Sequence, residues 1–202
     1  MDILRFYGST VDERNMAIAA DCLTRGQIIV YPTDTLYALG CDALNPHAIE
    51  ALCRIKGIDP DKNLLSIVCD DFARAAEYAR IDNRAFRIMK AALPGPYTFI
   101  LPASTKLPKV FKGRKSVGIR IPDNDVARAL VRQAERPVLT TSVDTTADFD
   151  CTDADSLSLH YDNFADLMLD GGPGTTVPST IIDLTDSSNP VLVRQGAGEF
   201  NF

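Results

Sequence analysis

Apolar positions along the chain switch between helical spacing and short continuous runs, and these changes of period divide it into elements. Met16, Ala19, Ala20 and Leu23 recur at helical spacing, and Gly26 stands where a helix stops. Thr10 and Glu13 have capping-box spacing, with Glu13 expected to reach back to the Thr10 amide. Ile28, Ile29, Val30 and Tyr31 then form an apolar, β-rich run of the kind buried on both faces of a sheet. Pro32 ends it, because proline cannot donate to a ladder. A second apolar run, 36–39, closes against Gly40.

Asn45 followed by Pro46 is the cap-then-proline order of a helix start, and that helix buries Ile49, Leu52 and Cys53. The pattern then predicts a strand over 64–69, helices over 71–79 and 82–92, and a strand over 94–102 with prolines at both ends. The second of those helices carries Ala85, Phe86 and Met89 and stops before Pro94. A strand at 116–121 leads to a helix through Val126, Leu130 and Val131, capped by Asp123 or Asn124. Strands follow at 138–142, 166–169, 179–184 and 190–194, and the polar segment 148–163 reads as a loop with a short helix. Helices and strands alternate early and strands dominate late. The prediction is one α/β domain over residues 1–202, a large mixed, twisted sheet flanked by helices.

Composition narrows the setting. No apolar run approaches the ~20 residues that span a bilayer, and the opening MDILRFYGST lacks the basic head and apolar centre of a signal peptide. Five widely spaced cysteines suit reduced thiols, so a cytoplasmic protein is expected, with no membrane partner. The formal net charge is −6, but the charges are segregated. Lys106, Lys109, Lys112, Arg114, Lys115 and Arg120 follow one another with no acid between, whereas 137–193 contains no Lys or Arg. Lys109, Lys112, Arg114 and Lys115 are expected to form an exposed positive rim able to meet the phosphates of RNA.

Candidate chemistry centres on Thr33, Asp34 and Thr35, a polar trio between two buried runs. Such a trio either caps its own backbone in a turn or faces a cleft and holds a polar ligand. His47 and His160 lie in contexts without an orienting partner, no serine sits in a nucleophile elbow, and no Cys/His spacing suggests a metal. No residue is therefore assigned as a covalent nucleophile, an acid/base catalyst or a metal ligand. What remains is positioning by charge. Lys56 follows the second helix, Arg120 alternates with Ile119 and Ile121 in a strand, and Arg194 ends a strand before Gly196, which would permit close approach of a ligand. Ser142 and Ser179 lie at strand ends. Taken singly, either arginine could instead pair with an aspartate at the sheet margin.

The run PTDTLYALGCDA (32–43) resembles the PTDTVYGLG-type signature of the threonylcarbamoyl-adenylate synthase, or YrdC/YciO-like, family. The likeness continues through Lys56, VGIRIP (117–122), TTS (140–142), DGG (170–172), PSTIIDLT (178–185) and LVRQGAG (192–198), and is nearest to the YciO branch. It implies a YrdC/RibB-like fold with a broad, concave, basic cavity on one side. It also implies a reaction: L-threonine, bicarbonate and ATP give threonylcarbamoyl-AMP and pyrophosphate, the first stage of a tRNA modification beside the anticodon. Thr33, Thr35 and Arg120 match the threonine end of the family site. Lys56, Ser142, Ser179 and Arg194 match the nucleotide side. Mg²⁺ would accompany ATP, held mainly by phosphate oxygens, with no organic cofactor.

Three positions depart from the family pattern. Ile58 stands where a phosphate-binding arginine is common, Asp144 where an asparagine is common, and Asn63 where a proline is usual. The first two make the site less welcoming to a polyanion. The alternatives to a synthase are a non-catalytic RNA- or nucleotide-binding protein using the same cavity, and an enzyme acting on another carboxylate or acyl-adenylate.

Overall fold

A single ten-stranded sheet runs through the molecule, and what covers each of its faces decides where a ligand can enter. The computed structural model describes residues 1–6, 11–59, 63, 65–107, 111, 113–146 and 148–201. The first half comprises β1 (Asp2–Arg5), α1 (Glu13–Thr24), β2 (Ile29–Tyr31), β3 (Ala38–Asp42), α2 (Pro46–Lys56), β4 (Ser66–Val68), α3 (Phe72–Tyr78) and α4 (Asn83–Ala92). The second comprises β5 (Tyr97–Pro102), β6 (Ser116–Arg120), α5 (Asp125–Ala134), β7 (Val138–Ser142), α6 (Ala154–Tyr161), β8 (Leu167–Asp170), β9 (Thr180–Asp183) and β10 (Val191–Arg194). The strand order is β1-β8-β2-β3-β7-β4-β6-β5-β9-β10, with parallel and antiparallel pairs mixed. This is the predicted single-domain α/β fold with a large mixed sheet.

Alternate residues of the strands enter two separate cores. Val30, Leu39, Ile67, Phe99, Ile119 and Leu139 pack on one face with α2, α3, α4 and α6. Ile29, Tyr31, Ala38, Val68 and Val138 pack on the other with α1 and α5. The register carries this second face onward: Ser66 lies opposite both Gly118 and Thr140, and Arg120 is two residues beyond Gly118. Here the inward positions turn from apolar to polar, and a floor replaces a core.

Most boundaries fall where the pattern puts them, and the exceptions have physical reasons. The cap of α1 is Asp12, whose carboxylate accepts from the Asn15 amide, rather than the expected Thr10, which lies outside the described residues. Asn124, not Asp123, caps α5. Phe86 on α4 is 39 % exposed and stacks edge-on with Phe72, while Ala85 and Met89 alone on that helix are buried. The strand β1 carries no usable periodicity, since its four residues are at most half-buried and it sits at the sheet edge. At the opposite edge β10 has all four residues exposed and a register shift between Leu192 and Arg194.

The antiparallel pair β3–β7 joins the signature segment to the Thr140–Ser142 segment, and a polar clamp locks its far end. Asp42, 2 % exposed, accepts from the Leu44 amide at 2.8 Å and from Arg136 Nη1 at 2.9 Å. Arg136→Ala leaves that carboxylate with an unpaired oxygen, so the variant should lose about 1–3 kcal/mol in a urea melt. Adding Asp42→Asn, which keeps the acceptor for Leu44 and removes the charge, should recover part of the loss.

Candidate functional site

The polar trio does two jobs at once. Thr33 closes the turn after β2: its hydroxyl donates to the Leu36 carbonyl at 2.6 Å and accepts from the Thr35 amide at 3.0 Å. Asp34 and Thr35 turn instead toward Arg120, whose Nη2 donates to Thr35 Oγ1 at 2.9 Å and to Asp34 Oδ1 at 3.2 Å. Each hydroxyl has one proton. With the Thr33 proton on Leu36, the 3.1 Å contact between the two hydroxyls is donated by Thr35. Protons thus run one way from Arg120 through Thr35 and Thr33 to a carbonyl. Thr35 is fully buried, so its hydroxyl acts on Arg120.

Arg120 is itself 5 % exposed, with Ile119 and Ile121 in the opposite core, as the strand alternation predicts. Two atoms of this assembly are buried without a hydrogen bond: Arg120 Nε and Asp34 Oδ2. Buried polar atoms are normally paired, so the arginine is only partly satisfied by its protein partners. It faces a cavity of about 180 Å³ lined by Ser66, Thr98, Thr140, Ser142, Ser179 and Arg194, among others. Ser66 and Thr98 are strand-interior polar residues at the parity of Arg120, the one signal in the sequence that marks them.

Arg194 forms the wall opposite. Its Nε and Nη2 donate to the Ser179 carbonyl at 3.2 and 2.7 Å, and Ser179 Oγ lies 2.9 Å from Thr98 Oγ1. Burial, and after it the charge of Arg120, hold the Arg194 guanidinium below its ordinary range. Two cations therefore converge on one chamber. Gly196, expected to admit a ligand, instead admits the backbone: a Cβ there would lie 2.2 Å from the Pro178 carbonyl oxygen.

A second cavity of about 330 Å³ shares Thr141, Ser142 and Arg194 with the first and extends to Leu36, Lys56 and Thr145. Lys56 does not point into it unpaired. Its ammonium is bonded to the carboxylate of Asp144, whose other oxygen accepts from the Tyr161 hydroxyl at 3.2 Å. That hydroxyl in turn accepts from the Asp144 amide at 2.9 Å. Burial raises the Tyr161 phenol above its ordinary range, so it stays a donor at neutral pH. Ile58 is half-buried against the main core, and Asn63 exchanges two 2.9 Å bonds with Asp59, neither of which a proline could make.

The two connected cavities thus gather Lys56, Arg120, Ser142, Ser179 and Arg194 from the residues singled out in the sequence. Thr33 and Thr35 support Arg120 from behind. On the basic rim Lys115 is exposed and Arg114 half-buried, while Lys109 and Lys112 lie outside the described residues. Among the described residues no group of three His, Cys, Asp or Glu could hold a metal, and no helix is long and apolar enough to cross a membrane. All five cysteines are buried and unbonded.

The Asp34–Arg120 pair is the charge balance of the site. Both side chains are about nine-tenths buried, so Asp34→Ala strands a cation in the sheet. Such a variant should lose about 3–5 kcal/mol in a denaturant melt, and combining it with Arg120→Met should restore most of that.

Comparison with known proteins fits this architecture. Residues 21–196 match the Sua5/YciO/YrdC family, described as telomere recombination. The chain is 38 % identical over 184 residues to the Escherichia coli (strain K12) protein YciO, described as uncharacterized, covering 90 % of this chain and 88 % of that one. It is 32 % identical over 199 residues to the threonylcarbamoyl-AMP synthase of Pyrococcus abyssi, covering 97 % of this chain but 58 % of that protein. The crystal structure of E. coli YciO matches with a TM-score of 0.90 at 35 % identity over 98 % of both chains. That of P. abyssi Sua5 complexed with L-threonine matches with a TM-score of 0.84 at 31 % identity, over 96 % of this chain and 57 % of that one. The ordered motifs, the ten-stranded sheet and these likenesses agree: the chain belongs to the Sua5/YciO/YrdC family.

Proposed function

We propose that this protein binds L-threonine and ATP and makes threonylcarbamoyl-AMP and pyrophosphate from them and bicarbonate, slowly. The observation that carries the reading is the chamber between Arg120 and Arg194. No carboxylate lines it among the described residues, and its lining is mostly hydroxyls together with the side chains of Arg120 and Arg194. An anionic ligand is the natural complement of such a site. The complex of L-threonine with P. abyssi Sua5 supports threonine as that ligand.

In this reaction the threonine amine adds to bicarbonate with loss of water, giving a carbamate. A carbamate oxygen then attacks the α-phosphorus of ATP, and the bond to the β-phosphate bridging oxygen breaks, its electron pair leaving with pyrophosphate. No covalent enzyme intermediate is required, so the protein contributes orientation and charge neutralisation. Arg120 holds the amino-acid carboxylate. Arg194 and Ser142 face both chambers, Ser179 lines the first beside them, and the three suit the phosphates. Mg²⁺ supplies further neutralisation of the triphosphate. The cleft offers it hydroxyls and cations rather than a carboxylate cluster, so it would enter on the phosphate oxygens.

The Lys56–Asp144 pair favours a second reading, a nucleotide- or RNA-binding protein without catalysis. Asp144 occupies the ammonium that a triphosphate would otherwise meet, and its charge opposes the incoming anion. The two readings separate when purified protein is incubated with ATP, Mg²⁺, L-threonine and bicarbonate: the synthase releases pyrophosphate and threonylcarbamoyl-AMP in equal amounts.

Two outcomes follow for variants and salt. Asp144→Asn releases Lys56, and Ile58→Arg adds a phosphate contact. The double variant should form threonylcarbamoyl-AMP about tenfold faster or better, roughly 1.4 kcal/mol per decade, chiefly through a lower KM for ATP. A variant that melts like the parent and gains nothing would make the binding reading the better one. For that reading, tRNA retention in a filter assay should fall steeply between low and physiological salt as counterions are released. Retention indifferent to salt, or none, removes RNA as a ligand of the basic rim.

A further inference from the structure

A hydroxyl pair on the floor of the smaller chamber has no part in the reaction as described above. Tyr31 on β2 and Thr140 on β7 are separated by β3, where Gly40 lies opposite Thr140. A Cβ at Gly40 would stand 2.9 Å from Cε1 of the Tyr31 ring. The bare backbone of Gly40 therefore lets the ring cross β3, and Tyr31 Oη reaches Thr140 Oγ1 at 2.5 Å.

The direction of that hydrogen bond follows from burial. Tyr31 is wholly buried, and among the described residues Thr140 is the one hydrogen-bond partner of its hydroxyl. If Thr140 donated, the phenol proton would be sealed in the core with no acceptor, which is costly. Tyr31 therefore donates. Burial pushes its phenol up to about 12, outweighing the Thr140 bond and the nearby Arg120 charge, so the proton stays in place at neutral pH. Thr140, which lines the chamber with Arg120, is left with its own proton free to donate and one of its two lone pairs taken. The Tyr31 bond thus restricts the directions in which that proton can point.

We propose that Thr140, oriented by Tyr31 across Gly40, is a specificity-determining residue that donates to the carboxylate of the amino-acid substrate held by Arg120. The inference rests on the threonine reading above. A carboxylate fits because it is an anion that presents only acceptors, which suits both the free Thr140 proton and the Arg120 guanidinium that lines the same chamber. An ammonium at this spot would meet the Arg120 cation. Thr140 touches the substrate, whereas Tyr31 is a positioning residue that acts through it.

Calorimetric titration of L-threonine and of L-threoninol, which carries CH₂OH in place of the carboxylate, tests this. The parent should bind L-threonine and discriminate against L-threoninol. Thr140→Val should weaken L-threonine about tenfold, the scale of one charge-assisted hydrogen bond, and leave L-threoninol nearly unchanged. Thr140→Ser, which keeps the donor, should bind like the parent. Tyr31→Phe should weaken L-threonine several-fold alone and add nothing to Thr140→Val. Should the valine variant fail to fold, Thr140→Ala takes its place. Unchanged L-threonine affinity in Thr140→Val, or an equal loss for both ligands, overturns the assignment while leaving threonine binding intact. A folded parent that binds no L-threonine overturns the threonine reading and this inference together.

Discussion

A guanidinium inside a sheet must be compensated, and the site is arranged around how Arg120 meets that requirement. Its strand, β6, is flanked by β4 and β5 near the middle of ten strands, so water cannot reach it from the sides. Asp34 and Thr35 compensate it from one direction, and the turn that presents them is fixed by Thr33. That compensation is incomplete: one nitrogen and one oxygen of the group remain unpaired. A structure selected for stability alone would have completed it or replaced the arginine with an apolar residue. Arg120 also lines the cavity, so an incompletely satisfied charge stands where an anion could meet it.

The two halves of the cleft are differently prepared. Around Arg120 the donors are fixed by buried partners, and the chamber carries net positive charge with no acid in its lining. Around Lys56 the positive charge is already matched by Asp144, and Tyr161 holds that residue through two contacts, donating to its carboxylate and accepting from its amide. A ligand entering the first half relieves an electrostatic excess, whereas one entering the second must displace a bonded pair. On the reading proposed above, the same scaffold would favour a small anion over a polyphosphate without any change of fold.

Legibility in the sequence followed the range of the interaction. Arg120 could be oriented because Ile119 and Ile121 fix the parity of its strand, and the start of α2 was readable because Asn45 and Pro46 are adjacent. Helical spacing places Phe86 beside Ala85 and Met89 but does not say how far the covering core extends, and Phe86 stays 39 % exposed. The Lys56–Asp144 pair was invisible: the partners are 88 residues apart, and each is an ordinary charged residue beside a polar segment. The Tyr31–Thr140 bond spans 109 residues and depends on a missing side chain on the strand between them. Local rules reach caps, turns and parity, while charge pairing across a sheet is set by strand order, which the pattern does not encode.

The edge position of β10 gives the cleft uneven stiffness. Arg120 projects from a strand bonded on both sides, but Arg194 projects from a strand bonded only to β9, with Val191 and Val193 more than half exposed and the register broken beside it. Local opening is easiest where few apolar contacts and few backbone bonds resist it. One jaw of the site is thus anchored in the sheet and the other is carried on its margin. Of the two, the marginal jaw is the one that the sheet holds less firmly.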